Sequence, residues 1–491
     1  MTTTSRRRHR PSFRRPRRLL GLALAAALVA AACSEPPTGV AASAPATAEC
    51  PLSALAEADG TVEVTLWYSL GGPTQEVLLD QVDRFNAAQD QVRVVASNQG
   101  ASFQEVYRKY QSAAAASTDQ LPDLLMTEDT TLQAMVDGGN VLPAQACMEA
   151  DEFDMDTLAP VVRSSYTVGG QLYPGFAHLS TPILYYNKSH FARAGLDPND
   201  PPDTLDELYE TAQALKDAGV SDRPLSFKSS WNYYKNWLTA AGVDLVNNDN
   251  GRDGLATEAT FDTPEMRDVI ELLQQMDDEG LLNPFANIEG GRDHYLALAS
   301  QQSSMLIETS TASSAIASFL GGGLDAEAAG EGFDPDAIDL NQLVPGTGVF
   351  PGIEAGGEAG PGGGVYYILN TSEPAQQAGS WRFLRFMLEQ QNSAQWFTEG
   401  GYLPMITGLD DDESVQAFLQ DEVAGLLLTP ALQQVQEASP DEPDPLVGPA
   451  QDFTDGIEDA VDAVLFEGAD IAPSLQAGQE EVTESLGRYA G

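Results

Sequence analysis

The sequence predicts an α/β fold arranged as two lobes, and two observations carry that expectation: the order of its elements and its length. From residue 61 onward, apolar positions alternate with period two, then recur at helical spacing, then alternate again. The chain has 491 residues, and the roughly 440 left beyond an N-terminal leader exceed what one hydrophobic core normally holds. No segment repeats with a period of about 20 to 50 residues, which excludes a solenoid.

Element by element, Thr61–Leu66 puts Val62, Val64 and Leu66 on one face of a strand, and Gly71, Gly72 and Pro73 break it. Val77, Leu78, Val82 and Phe85 then form a helical stripe, Val92 and Val94 mark a second strand, and Phe103, Val106, Tyr107 and Tyr110 line one side of a second helix. Pro122 and Asp123 bound a third strand at Leu124, Leu125 and Met126. A β-α-β-α-β order implies parallel strands joined by right-handed crossovers. Such sheets bind ligands beyond the carboxyl ends of their strands, here Trp67 and Tyr68, Asn98 and Gln99, and Thr127, Glu128 and Asp129. Aromatic faces, amides and carboxylates suit a polyhydroxylated ligand, because carboxylates accept hydroxyl hydrogen bonds and rings cover C–H faces. Taken singly, a residue such as Trp67 is more often core, and one such as Glu128 more often the neighbour of a helix N-cap.

The first fifty residues read as export followed by anchoring. Eight arginines between Arg6 and Arg18 precede an apolar run of 14 residues, Leu19–Ala32, too short to cross about 30 Å of hydrocarbon comfortably. Residues 1–32 are therefore expected to be a signal peptide. Ala30, Ala31 and Ala32 before Cys33 resemble a bacterial lipobox, which predicts lipidation at Cys33, a flexible linker over 33–49, and a protein held on the outer face of the bacterial cell membrane. A plain secretory peptide cleaved nearby is the alternative. Export to an oxidising space makes a disulfide between the two other cysteines, Cys50 and Cys147, the natural expectation; two buried thiols are the bland one.

Charge narrows the partners. The net formal charge is -48, with 73 acidic and 25 basic residues, so nucleic acid is an unsuitable partner. A solvated acidic surface that aids solubility is the ordinary reason for such an excess. Two cysteines and His178, His190 and His294 beyond the leader do not make a metalloenzyme, and no cofactor or metal is expected. The glycine-rich stretches near Gly321 and over Gly346–Gly364 lack the Lys-Ser/Thr of a phosphate loop, and GLDDDES at Gly408–Ser414 lacks EF-hand spacing, so these read as loops and a solvated helix start. WNYYKNW at Trp231–Trp237 offers Trp231 for stacking while at least one aromatic pair goes to the core, and WRFLRFM at Trp381–Met387 reads as a core-facing helix.

Several longer stretches resemble the extracellular solute-binding proteins, family 1, which feed carbohydrate ABC importers: LWYSLGG at Leu66–Gly72, VDRFNA at Val82–Ala87, LPDLLMTE at Leu121–Glu128, STPILYYNKSHFARAGLDPNDPPDTLDEL at Ser180–Leu208, the Tyr295–Met305 stretch, GGGVYYILN at Gly362–Asn370 and GGYLPM at Gly400–Met405. The pattern is nearest to the glycerol-3-phosphate and glycerophosphodiester binding subgroup. The resemblance implies a type II periplasmic-binding-protein fold of two hinged lobes, no enzymatic activity, permease subunits as partners and a monomer. It implies lobe 1 from 50–176 plus 308–367 and lobe 2 from 177–307 plus 368–491, with crossings near Tyr173–Ala177, Ile307–Ser310 and Val365–Asn370. Motif matching carries ligand contacts onto Glu128, Ser180, Ser310 (or Thr309), Gly363, Tyr402 and Trp231, with Lys228 near the position of a second tryptophan. Tyr68 and Asp129 join them from the strand ends. Two departures matter: Phe103 stands where the subgroup has tyrosine, and the acidic stretch Asp452–Asp455 stands where it has a phosphate-binding arginine. Without that arginine the bidentate recognition of phosphate loses its main support, so the expected ligand is a neutral sugar or polyol, with Lys228 as the substitute cation if a phosphate ester is bound. A secreted glycoside-processing enzyme with paired carboxylates is the competing class, separated by turnover.

Overall fold

The computed structural model describes residues 48–288, 291–320, 343–441 and 443–491. The leader, Cys33 and the glycines just after Leu320 lie outside the described residues.

Thirteen strands are described, in chain order β1 (Val62–Tyr68), β2 (Val92–Asn98), β3 (Leu124–Glu128), β4 (Val141–Leu142), β5 (Thr167–Val168), β6 (Gln171–Leu172), β7 (Phe176–Ala177), β8 (Pro182–Asn187), β9 (Leu225–Ser229), β10 (Leu282–Ala286), β11 (Met305–Thr309), β12 (Pro345–Gly348) and β13 (Gly364–Leu369). The first sheet has the order β2-β1-β3-β13-β4 with β7 alongside β13, and the second has the order β10-β9-β11-β8-β12. β1 pairs in parallel with both β2 and β3, as the β-α-β-α-β order requires. The stripe Val77, Leu78, Val82 and Phe85 is buried in the helix Gly72–Ala88, and Trp381, Phe383, Leu384 and Met387 in the helix Pro374–Met387. Each sheet has its own hydrophobic core, one including Leu66, Leu125, Ile368 and Trp381, the other Phe227, Trp237, Ile270 and Ile457. Two cores explain why this length needs two lobes.

The lobe boundaries differ from the expected ones. β12 pairs antiparallel with β8 and so belongs to the second sheet, whereas β13 lies inside the first. The helices Pro374–Met387, Gln390–Thr398, Glu413–Asp421 and Val423–Glu437 contribute to the first core, and only after Val447 does the chain return to the second, where the helices Ala450–Glu467 and Ile471–Ala490 pack together. The segment Val365–Asn370 is thus sheet interior rather than a crossing, and the first crossing lies just beyond Ala177, between β7 and β8. Each sheet contains a fully buried strand, β13 in the first and β8 in the second, so burial along the chain does not reveal which sheet a strand joins.

The crossings are stitched to one another. Ser180 and Gly362 exchange backbone hydrogen bonds of 2.8 Å in both directions. Thr181 accepts from the Ser310 N–H (2.8 Å), donates its own N–H to Ser310 Oγ (3.3 Å) and its hydroxyl to the carbonyl of Ala359 (3.2 Å). Buried Gln434 donates to Thr181 Oγ1 (2.6 Å) and the Pro182 carbonyl (3.0 Å) while accepting from the Phe350 N–H (3.0 Å). Gly363 sits at φ +142°, and a Cβ there would stand 2.1 Å from the His178 carbonyl oxygen, so the close approach of two crossing segments requires glycine. Two further ties span the lobes: Arg252 donates to the carbonyls of Ser164, Ser165 and Thr167 and to that of Asp444, and Tyr489 donates to Asp137 at 2.8 Å.

Cys50 and Cys147 are bonded across a sequence separation of 97, tying the first residues of the domain to the helix Ala144–Ala150. Closing so long a loop constrains the unfolded chain and stabilises the fold by about 2–4 kcal/mol. Reduction should therefore lower the guanidinium midpoint measurably, and a midpoint that is the same with and without dithiothreitol would contradict this.

Candidate functional site

Between the two sheets lies a cleft of about 950 Å³. One wall is the helix Phe103–Ala116, whose start is capped by Ser102 Oγ accepting from the Glu105 N–H at 3.2 Å, and which presents Phe103, Gln104, Tyr107, Arg108 and Gln111. The facing wall is the start of the helix Trp231–Ala240 together with the first turns of Ala450–Glu467. The crossing segments form the floor, with Ser180, Thr309, Gly362, Gly363 and Tyr402.

Eight of the ten predicted residues meet here: Phe103, Glu128, Asp129, Ser180, Lys228, Trp231, Gly363 and Tyr402 line the cleft, each of them half-buried. Tyr68 does not. It shares the face of β1 that carries Val64 and Leu66, is 3% exposed, and belongs to the first core, a parity of the strand that sends Trp67 to the opposite face. Ser310 is also corrected: it is fully buried, bonded to Thr181, and the flanking Thr309 and Thr311 face the cleft instead.

Glu128 ends β3 opposite Gly364 of β13, where Gln104 Nε2 (3.3 Å) and Thr130 Oγ1 (3.4 Å) donate to its carboxylate; burial pushes its carboxyl above the ordinary value. Asp129 accepts from the Tyr166 hydroxyl at 3.3 Å and the Gly363 N–H at 3.2 Å. Burial, then the nearby carboxylates of Asp444 and Glu128, raise Asp129 to about 7 despite the opposing charge of Lys235. Across the cleft, Glu458 accepts from the Trp231 N–H (2.8 Å) and Asn287 (2.9 Å) and is raised to about 7, chiefly by burial. Trp231 packs edge-on against Phe453 with ring centroids 6.2 Å apart, which leaves its half-exposed indole facing the cavity. Tyr402 lies 4.7 Å from the ring of His178, which is buried with Trp396 4.2 Å away and held neutral, its pKa pushed down to about 3 by burial.

The lysines are committed. Lys228 Nζ lies 3.0 Å from the carboxylate of Glu308, and Lys235 Nζ lies 2.7 Å from that of Asp444. Asp452 and Asp455, which stand where the family resemblance implies a phosphate-binding arginine, line the cleft as carboxylates. The stripe Gln104, Tyr107, Arg108 and Gln111 was missed from the sequence although its spacing places all four on one helical face. Lys235 and Asp444 carried no local signal, because they meet only through the fold.

Residues 80–420 match the family described as bacterial extracellular solute-binding protein. The chain is 25% identical over 374 residues to the sn-glycerol-3-phosphate-binding periplasmic protein UgpB of Pectobacterium atrosepticum, covering 74% of this chain and 78% of that protein. It is likewise 25% identical over 378 residues to the UgpB of Escherichia coli K12, covering 75% and 80%. Among solved structures, the cyclic alpha-maltosyl-1,6-maltose binding protein of Arthrobacter globiformis aligns at TM-score 0.64 and 22% identity over 87% of this chain and 100% of that one. UgpB of Mycobacterium tuberculosis in complex with glycerophosphocholine aligns at 0.67 and 18% over 88% and 100%, and the sugar-binding protein MalE of Xanthomonas citri at 0.69 and 18% over 87% and 98%. These likenesses establish a shared two-lobed fold.

Because Asp129 binds its proton more tightly folded than unfolded, the folded state holds the extra proton between about pH 4 and 7, and stability falls as pH rises through that window. Asp129→Asn should come nearest to the wild type in thermal midpoint at about pH 4 and exceed it by a margin that grows up to about pH 8. Equal midpoints at both would contradict the assignment.

Proposed function

We propose that this chain, which belongs to the family of bacterial extracellular solute-binding proteins and serves as the solute-capturing component of an ABC importer, takes up a neutral sugar or sugar-like polyol between its lobes. The observation that carries the reading is the charge state of the cleft: both lysines are paired to carboxylates, while Glu128, Asp129, Asp452, Asp455 and Glu458 supply acceptors for hydroxyl groups. An aromatic face at Trp231 suits the C–H side of a sugar ring. The ligand touches both lobes, Glu128 and Asp129 from the first and Trp231 from the second, so binding favours closure by differential contact. Tyr402 and Gly363 hold the floor, with Ser180 and Phe103 completing the contact set. Cys33, as lipid-modified N-terminus, keeps the protein at the outer face of the membrane beside its permease, where it works as a monomer.

A phosphate-bearing ligand, glycerol-3-phosphate or a glycerophosphodiester, is the second reading. It is favoured by the names of the curated relatives and by Arg108 on the cleft wall. A thermal-shift panel of mono- and disaccharides, polyols, glycerol-3-phosphate and glycerophosphodiesters separates the two. A ligand at 100 times its dissociation constant adds about 2.7 kcal/mol. Neutral compounds are expected to raise the midpoint and to be recovered unchanged, and Trp231→Ala should weaken the best of them by about tenfold or more. Shifts from phosphate esters alone would overturn the neutral-ligand reading, and a chemically altered ligand would restore the enzyme reading.

A further inference from the structure

We propose that Glu308 sets the charge selectivity of the cleft: by neutralising Lys228 it leaves the ammonium as a hydrogen-bond donor without net local charge, which admits hydroxyl groups and gives a phosphate ester no advantage. This rests on the cleft being the ligand site.

Glu308 is the next-to-last residue of β11, with its side chain 2% exposed, so it does not touch the cavity itself. Its carboxylate is saturated by donors: Lys228 Nζ at 3.0 Å and His294 Nε2 at 2.7 Å on one oxygen, Tyr233 hydroxyl at 3.1 Å and the Thr309 N–H at 2.8 Å on the other. Burial alone would protonate it, but Lys228, then His294 and the Thr309 N–H, outweigh burial and hold the carboxyl far below the ordinary range. It is therefore a permanent anion behind the cleft wall. Lys228 reaches from β9, with its side chain 20% exposed, and lines the cleft beside Trp231 and Thr309. An ammonium has three donors; one is spent on Glu308, and the exposed side can offer others to the ligand.

Charge, rather than hydrogen bonding, decides between a hydroxyl and a phosphate here. A paired Lys228 donates equally well to either, whereas an unpaired one would attract a phosphate dianion strongly at contact distance. Glu308 is thus a positioning residue that acts through Lys228.

The test compares sn-glycerol-3-phosphate with glycerol by calorimetry on the purified protein, at about pH 8, where a phosphate monoester is a dianion, and at about 20 mM salt, where screening is weak. The wild type should bind the phosphate ester no more tightly than glycerol. Glu308→Gln, which keeps the volume of the side chain and one of its two acceptor atoms, should bind the ester about fivefold or more tighter than the wild type. That gain should vanish at about 0.5 M salt, vanish in the double variant Glu308→Gln with Lys228→Met, and be absent from Glu308→Asp. A merely structural role for Glu308 would lower affinity for every ligand and produce no gain. A folded Glu308→Gln protein without the gain overturns the inference. So does a wild type that already prefers the ester by about tenfold, an outcome that needs no variant and stands even if Glu308→Gln fails to fold. Failure of the cleft reading looks different: a ligand that binds the wild type but is indifferent to both Lys228→Met and Trp231→Ala would overturn both.

Discussion

The structure depends on one constraint: the crossing segments must satisfy their backbone hydrogen bonds among themselves, because they run through the buried seam between two sheets. Ser180 and Gly362 pair as a two-residue ladder, Thr181 and Ser310 lock a second pair, and Gln434 reaches in from the helix Val423–Glu437 to satisfy three polar groups at once. An unpaired buried amide or carbonyl costs as much as several good contacts contribute, so such segments are rigid in their hydrogen bonding and free mainly to rotate as a unit. A hinge of this kind lets the lobes change their angle while the floor keeps its shape. Ser180, Gly363 and Tyr402 belong to that floor, which places part of the cleft lining on the pivot itself.

The cleft's electrostatics follow from the same geometry. Lys228 and Lys235 come from one lobe, and each finds a carboxylate that the fold, not the local chain, supplies. Neutralised cations surrounded by partly buried carboxylates make a site rich in acceptors, in which Asp129 and Glu458 both stand near neutrality in their proton affinity. The large acidic excess of the whole chain adds a long-range field of the same sign, weakened by salt over about 10 Å. The field inside the cleft is therefore set by its close contacts more than by the surface.

Much of the first lobe was legible because its early elements are consecutive: Val64, Leu66, Val77, Leu78, Val82, Phe85, Val92 and Val94 are all buried as periodicity requires. The resemblance of Leu121–Glu128 and Ser180–Leu208 to a known family then carried most of the cleft. What failed was non-local. Nothing in the local pattern says that β12 joins β8 while β13 joins β3, so the lobe boundaries were misplaced. Tyr68 was lost to strand parity, one residue from the half-buried Trp67, and Ser310 to a one-residue register at the end of β11. Lys228 was read as an available cation because its partner, Glu308, is distant in sequence and adjacent only across two paired strands.

If the two lobes close on a ligand held between them, the distance from one lobe to the other must shorten on binding. Spin labels at Lys109 and Asp459, both exposed on the helices that form the two cleft walls, report the separation by pulsed electron resonance with and without a saturating ligand. Closure gives a shorter and narrower distance distribution in the bound protein. A distribution that stays the same while calorimetry shows the ligand bound would contradict it.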